Sequence, residues 1–246
     1  MEIKYTSEPE VNEPILIAAW PGMGYLAKIS ADYLRRRLKG ELFAEISYYQ
    51  NTIIYRDGLA ELPILKHRFY SVPGKDILIC VGDAQPSTPE EAMKLAETIV
   101  EFAVKHNVQR IYTMAAYPSD YADEPQVYGV YTDEGLKDEL EGHGVSFLEG
   151  EGAVNGLNGI LIGVAKQRGI DGVCLMSDIR YANVPQHLSS KAVLEKLTAI
   201  LGFEIDTAQL VKRARKIDAS IQRNLLDFEE ADEPLKKEEK SLRYIS

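Results

Sequence analysis

The sequence predicts a three-layer α/β/α sandwich on a largely parallel central sheet, and two observations carry that expectation. Residues 14–19 are a short continuous apolar run bounded by Pro and Gly, and 76–81 reads as a second strongly buried strand, as expected of strands covered on both faces; 110–114 and 173–176 also read as strands. Longer stretches with helical spacing lie between them, and strand–helix alternation of this kind builds parallel sheets covered by helices.

The elements follow in order. Residues 14–19 form the first buried strand, and 25–39 a helix with Leu26, Ile29, Tyr33, Leu34 and Leu38 on one face. Segments 42–48, 52–56 and 67–72, rich in Tyr, Ile and Phe and joined by Asn, Gly and Pro turns, read as an antiparallel excursion. After the strand at 76–81, Thr88-Pro-Glu-Glu opens a helix that runs to about His106. Thr88 is its N-cap, Pro89 its first residue, and Glu91 stands three after the cap. Strands are expected at 110–114, 126–131, 145–148 and 173–176, with a short helix from Thr132. A helix over 155–168 takes Asn155 as its N-cap, and helices at 187–201 and 206–228 close the fold. Residues 1–226 read as a single α/β domain without linker or repeat. Residues 227–240 carry seven acids, three lysines and a proline, so 227–246 is expected to be a charged, flexible tail.

Charge narrows the function classes. The 246 residues carry 28 basic and 38 acidic side chains, a net charge of −10. That balance leaves no basic surplus to displace counterions from a nucleic acid or to bind an anionic membrane surface. The N-terminus has neither the basic nor the apolar region of a signal peptide, and no apolar run approaches the roughly 20 residues of a membrane span. Two mid-strand cysteines, Cys80 and Cys174, read as buried free thiols of a cytoplasmic protein.

The stretch Ala18-Ala-Trp-Pro-Gly-Met-Gly-Tyr25 joins a strand to a helix and has three readings: a tight corner, an anion site at a helix start, or a dinucleotide site. It lacks the Lys-Ser/Thr of a phosphate-binding loop, and Trp20-Pro21 is a poor fit at the close-approach turn of a dinucleotide fold. A second stretch, Asn155-Gly-Leu-Asn-Gly-Ile-Leu-Ile-Gly163, repeats glycine along one helix face, which invites close packing or anion binding at the helix start. Four scattered histidines give no metal spacing, and no nucleophile elbow is present. No cofactor, metal or catalytic residue is therefore assigned.

In open α/β sheets, ligands bind beyond the carboxyl ends of the strands. The loops expected there supply the ligand-pocket candidates Trp20, Gly22, Gly24, Asp83, Gln85, Tyr117, Asp178 and Tyr181. On the last helix, Leu210, Ala214, Ile217, Ile221, Leu225 and Phe228 form a seam that packs on the sheet or on a second copy.

Several stretches in this order resemble one family. They are Trp20-Pro-Gly-Met-Gly, Val81-Gly-Asp-Ala-Gln-Pro86, Ile111-Tyr-Thr-Met-Ala, Asn155-Gly-Leu-Asn-Gly-Ile-Leu, Gly169-Ile-Asp-Gly-Val-Cys-Leu and Leu201-Gly-Phe-Glu-Ile-Asp206. Together they look like the proteasome assembly chaperone 2 family in its archaeal and bacterial branch, over residues 12–215. The resemblance implies a phosphorylase/hydrolase-like fold without established catalysis, self-association into small oligomers, and, in some members, binding to proteasome α-subunits. Such chaperones carry a C-terminal hydrophobic–tyrosine–any-residue docking motif. Leu242, Tyr244 and Ile245 stand as its candidates, although Tyr244 is third from the end and Arg243 precedes it. Relatives have also been labelled ATP-grasp ligases, but the chain is short for that fold and shows no carboxylate pair at metal spacing. The function expected is therefore a non-enzymatic, homo-oligomeric chaperone. The alternative is a small-molecule binder or enzyme using the strand-end pocket.

Overall fold

A computed structural model describes residues 1–49, 52–119, 121 and 124–223. Two compact units divide at Asp206/Thr207, twenty residues before the boundary that composition predicts. The first unit is built on an eight-stranded sheet. Its strands are β1 (Ile3–Tyr5), β2 (Ile15–Ala19), β3 (Glu41–Tyr49), β6 (Ile64–Ser71), β7 (Ile77–Gly82), β8 (Arg110–Pro118), β9 (Val127–Tyr131) and β10 (Asp171–Ile179). A separate ribbon pairs β4 (Ile54–Arg56) with β5 (Leu59–Glu61).

The sheet order is β1-β3-β6-β7-β2-β8-β10-β9. The four central strands β7, β2, β8 and β10 are mutually parallel, and they contain the strands expected at 76–81, 14–19, 110–114 and 173–176. The pairings outside them, from β1 through β7 on one flank and β10 with β9 on the other, are antiparallel. Helices cover both faces, as a sheet buried on both sides requires. They are α1 (Leu26–Arg37), α2 (Pro89–Lys105), α3 (Lys137–Gly142), α4 (Leu157–Gln167) and α5 (His187–Ile200). On one face Leu16, Ala18, Trp20, Leu78, Cys80 and Ile111 pack with α2 and α4, and full burial of each leucine or isoleucine side chain there stabilises by about 1.5–3 kcal/mol. On the other, α1 and α5 lie against the central strands and each other. No helix among the described residues is long and apolar enough to cross a membrane.

Local signals explain several boundaries. Thr88 Oγ1 accepts from the Glu91 N–H at 3.2 Å, while the Glu91 carboxylate accepts from the Ser87 N–H at 3.3 Å, so the predicted start of α2 is capped by its own sequence. Cys80 and Cys174 are free and fully buried, and burial pushes both thiols up, Cys174 to about 11.

Three expectations need correction. Residues 145–148 are not a strand: only Ser146 bridges Tyr128, because Val145 instead closes α3 through its N–H to the Leu140 carbonyl and Phe147 packs edge-on to Tyr131. Asn155 does not cap α4; Gly156 holds that position, with φ +76°. Nor do the glycines of α4 form a packing stripe. A Cβ at Gly159 would overlap the Val154 carbonyl of the preceding loop, whereas Gly163 faces open space.

Candidate functional site

Chain leaving β2 turns toward β3 on one side of the sheet, while chain leaving β8 proceeds toward β9 and β10 on the other. The ends of β2 and β8 therefore flank a topological switch point, where open α/β sheets place ligands. A cavity of about 580 Å³ lies there, floored by Ala115, Ala116, Tyr117 and Met176 and walled by Gly22, Gln85, Asn155 and Asn158.

The strand-to-helix corner is assembled by side chains far apart in sequence. Trp20 is fully buried; its indole N–H donates to His67 Nδ1 at 2.9 Å and its backbone N–H to Asn158 Oδ1 at 3.1 Å. Gly82 is bare because a Cβ would collide with the indole. Gly24 takes φ +61°; its N–H donates to the Ala182 carbonyl at 2.6 Å, and its own carbonyl accepts from the Gln186 N–H at 2.8 Å. The Tyr25 N–H donates to the Gly22 carbonyl. These amides point into the protein and not toward a common anion, so the loop is a corner stitched to residues 182–186.

Gln85 completes the stitching. Its Nε2 donates to the Pro21 carbonyl at 2.7 Å, and its Oε1 accepts from the Leu157 N–H at 2.9 Å. A side chain from the loop after β7 thus caps α4, and the bare Gly156 lets it approach: a Cβ there would overlap Gln85 Oε1. One of the first amides of α4, which an anion would need, is already engaged.

The remaining candidates are dispersed. Gly22, Gln85 and Tyr117 line the cavity, while Trp20 and Gly24 sit behind it. Asp83 belongs to the β6–β7 seam, paired with Arg68 at 2.7 Å and accepting from the Lys66 N–H at 3.1 Å. Asp178 is buried and accepts from Ser119 Oγ at 2.8 Å and the Gln126 N–H at 3.0 Å, tying the exit of β8 to the entry of β9. Tyr181 is exposed on the following loop.

The cavity wall is chemically neutral: its polar groups are three amides and one phenol, and among the described residues no charged side chain lines it. A second cavity of about 620 Å³ adjoins it, sharing Tyr117, Ala153, Val154 and Met176, with Glu149, Glu151 and Lys166 at its walls. The perturbed groups lie elsewhere. Burial holds the His67 imidazole down at about 4, and burial raises the Tyr48 phenol to about 12, with the Glu91 and Asp83 charges adding to it. Because Trp20 donates to Nδ1, the His67 ring proton sits on Nε2, against the stacked Tyr48 ring at 5.0 Å. Neither residue lines the cavity, and among the described residues no group of three or more His, Cys, Asp and Glu could hold a metal. The walls of the cavity of about 580 Å³ offer shape and neutral hydrogen bonding, and among the described residues no charged side chain stands in them.

Asn158, Met23 and Met176 were not among the sequence candidates, although Asn158 stands inside the Asn-Gly-Leu-Asn-Gly motif. Residues 208–223 are helical, with Leu210 and Ala214 buried and Ile217 and Ile221 half-buried. Leu225 of the seam, and Leu242, Tyr244 and Ile245 of the expected docking tip, lie outside the described residues.

Comparison with known proteins gives a consistent picture. The model of the PAC2 family matches residues 16–225. An uncharacterized protein of Methanocaldococcus jannaschii is 30% identical over 244 residues, covering 94% of this chain and 92% of the relative. Among solved structures, Pyrococcus furiosus PbaB, an archaeal proteasome activator, is 29% identical with a TM-score of 0.79, over 90% of this chain and 97% of that one. Pyrococcus furiosus PbaA, an archaeal homolog of proteasome-assembly chaperone, shares the fold at 24% identity and a TM-score of 0.74, over 99% of both chains.

Proposed function

We propose, from the premise that this chain belongs to the PAC2 family, that it is a non-enzymatic, homo-oligomeric, chaperone-like protein of the cytoplasm that binds proteasome α-subunits. The observation that carries this reading is the family match across residues 16–225, joined to the likeness to an archaeal proteasome activator at 29% identity. The strand-end corner fits it as well, since its polar groups hold the fold together and none is set up for chemistry. The charged segment 227–240 ahead of Leu242, Tyr244 and Ile245 suits a tip that reaches a partner. Mixing the full chain with α-subunits and following gel filtration tests the proposal. Co-elution that is lost on deleting 241–246 is expected; no shift with either form refutes it.

A second reading rests on the cavity of about 580 Å³ at the switch point, a volume sufficient for a small uncharged ligand. A metabolite thermal-shift panel addresses it, because a ligand at 100 times its Kd stabilises the fold by about 2.7 kcal/mol.

A further inference from the structure

Among the described residues the ribbon β4–β5 pairs with no other strand. Its turn, Asp57-Gly58, has positive φ at both residues, the geometry of a tight two-residue hairpin. Ile53, Ile54, Tyr55, Leu59, Leu62 and Ile64 on and beside it are all exposed, Tyr55 by 74% and Leu59 by 69%. An isolated two-stranded ribbon is marginal in water, and these side chains present on the order of 500 Å² of apolar surface. That total is within the range of the largest apolar patch on an ordinary monomer, a size that often marks an interaction site, and the ribbon's two faces share it, Ile54 and Leu59 on one and Tyr55 on the other.

We propose that one face of this ribbon is the contact between two copies of the chain, crossed about a two-fold axis; the inference rests on the homo-oligomeric reading above. The register decides the partner. Ile54 stands opposite Glu61, and Arg56 opposite Leu59, so these four side chains share one face at the corners of a rectangle. Arg56 and Glu61 occupy one diagonal, Ile54 and Leu59 the other. A two-fold axis along the Ile54–Leu59 diagonal sets Ile54 on Ile54 of the partner subunit and Leu59 on Leu59 of the partner subunit. It also sets each Glu61 on Arg56 of the partner subunit, giving two ion pairs around an apolar contact. An axis along the other diagonal would instead oppose like charges. The patch is thus self-complementary in one arrangement, as an isologous interface requires. Neither Arg56 nor Glu61 has an ion-pair partner of its own among the described residues. Residues 52–64 carry a net charge of only −1 (one Arg, one Asp, one Glu) on a chain of −10, so two copies approach here with little repulsion.

The test is sedimentation velocity on the full chain across a concentration series, with Arg56→Glu, Glu61→Arg and the double exchange. Each single reversal sets like charges together twice and should weaken self-association by about tenfold or more; the double exchange should restore it to within about threefold. Circular dichroism melts of all forms should coincide at a dilution where each is dissociated, since these side chains are exposed in the free chain. A monomeric wild type overturns the homo-oligomeric reading and this contact with it. An oligomeric wild type with unchanged single variants overturns the contact alone. Single variants that lose α-subunit binding while keeping their oligomeric state also overturn it, and assign the ribbon to the α-subunit.

Discussion

Replacing Gln85 by alanine should destabilise the chain by about 2 kcal/mol. The side chain makes two neutral hydrogen bonds, 2.7 Å to the Pro21 carbonyl and 2.9 Å from the Leu157 N–H, each contributing about 1 kcal/mol net. Loss of the first frees the loop after β2, and loss of the second uncaps α4. Gln85 itself lines the cavity beside Gly22 and Gly156, so truncating it opens that space to the two freed groups and keeps the loss near that sum, below the cost of two buried orphans. At this chain length the melting temperature should fall by about 4–8 °C. Fluorescence of Trp20, the single tryptophan, reports unfolding at the affected corner, and exchange of the Leu157 amide should quicken in the native state. Gln85→Glu separates the two contributions. A carboxylate still accepts from Leu157 at a helix N-terminus, where negative charge is favourable, but cannot donate to Pro21, so about half the loss should remain. A Gln85→Ala melt within about 1 °C of wild type would refute the claim that this side chain joins β2, β7 and α4.

The glycines of α4 should separate in the same assay. Gly163→Ala should raise stability by about 1 kcal/mol because its Cβ enters open space, while Gly159→Ala should lower it because its Cβ meets the Val154 carbonyl; effects of equal sign would contradict the packing described. His67 predicts a pH dependence. The folded imidazole titrates near 4 and the unfolded one near 6.5, so the unfolded chain binds more protons between those values. Its contribution is complete above about 6.5 and falls by about 3 kcal/mol as pH drops toward 4. His67→Gln should flatten urea stability over that window, and an unchanged slope would count against a buried neutral histidine.

What was legible in the sequence follows from what each signal depends on. The stretches 14–19, 76–81, 110–114 and 173–176 became parts of β2, β7, β8 and β10 because a strand buried on both faces is mostly apolar whatever its neighbours, even where single polar residues such as Thr113 interrupt it. The Thr88 cap was equally readable, since both partners lie within four residues. By contrast β1, with only three residues at a sheet edge, left no periodic trace. Asn155 is a sound local cap, but the group that caps α4 is Gln85, 72 residues away, and only the folded sheet brings it there. The Asn158 clamp on Trp20 spans 138 residues and is invisible for the same reason. Asp83 and Asp178 follow strands in similar positions, yet their roles are set by Arg68 and Ser119, neither adjacent in sequence.

These non-local bonds bear on where binding can occur. A ligand that engaged the Trp20 indole, the Gly24 amide, Gln85 or Asn158 would meet groups that already have partners, which leaves Asn155 and the Tyr117 phenol as the other polar groups of the cavity walls. Redirecting any one of the first four leaves a group unpaired at about 1–3 kcal/mol, to be recovered from the ligand before net affinity appears. The ribbon presents the opposite balance: its apolar side chains face water in the free chain, and Arg56 and Glu61 have no competing ion pair among the described residues. Covering it removes apolar surface from water without breaking an internal bond, a gain of roughly 25 cal/mol for each Å². For a ligand that depends on those four groups, the free-energy balance is less favourable at the switch point than it is for covering the ribbon.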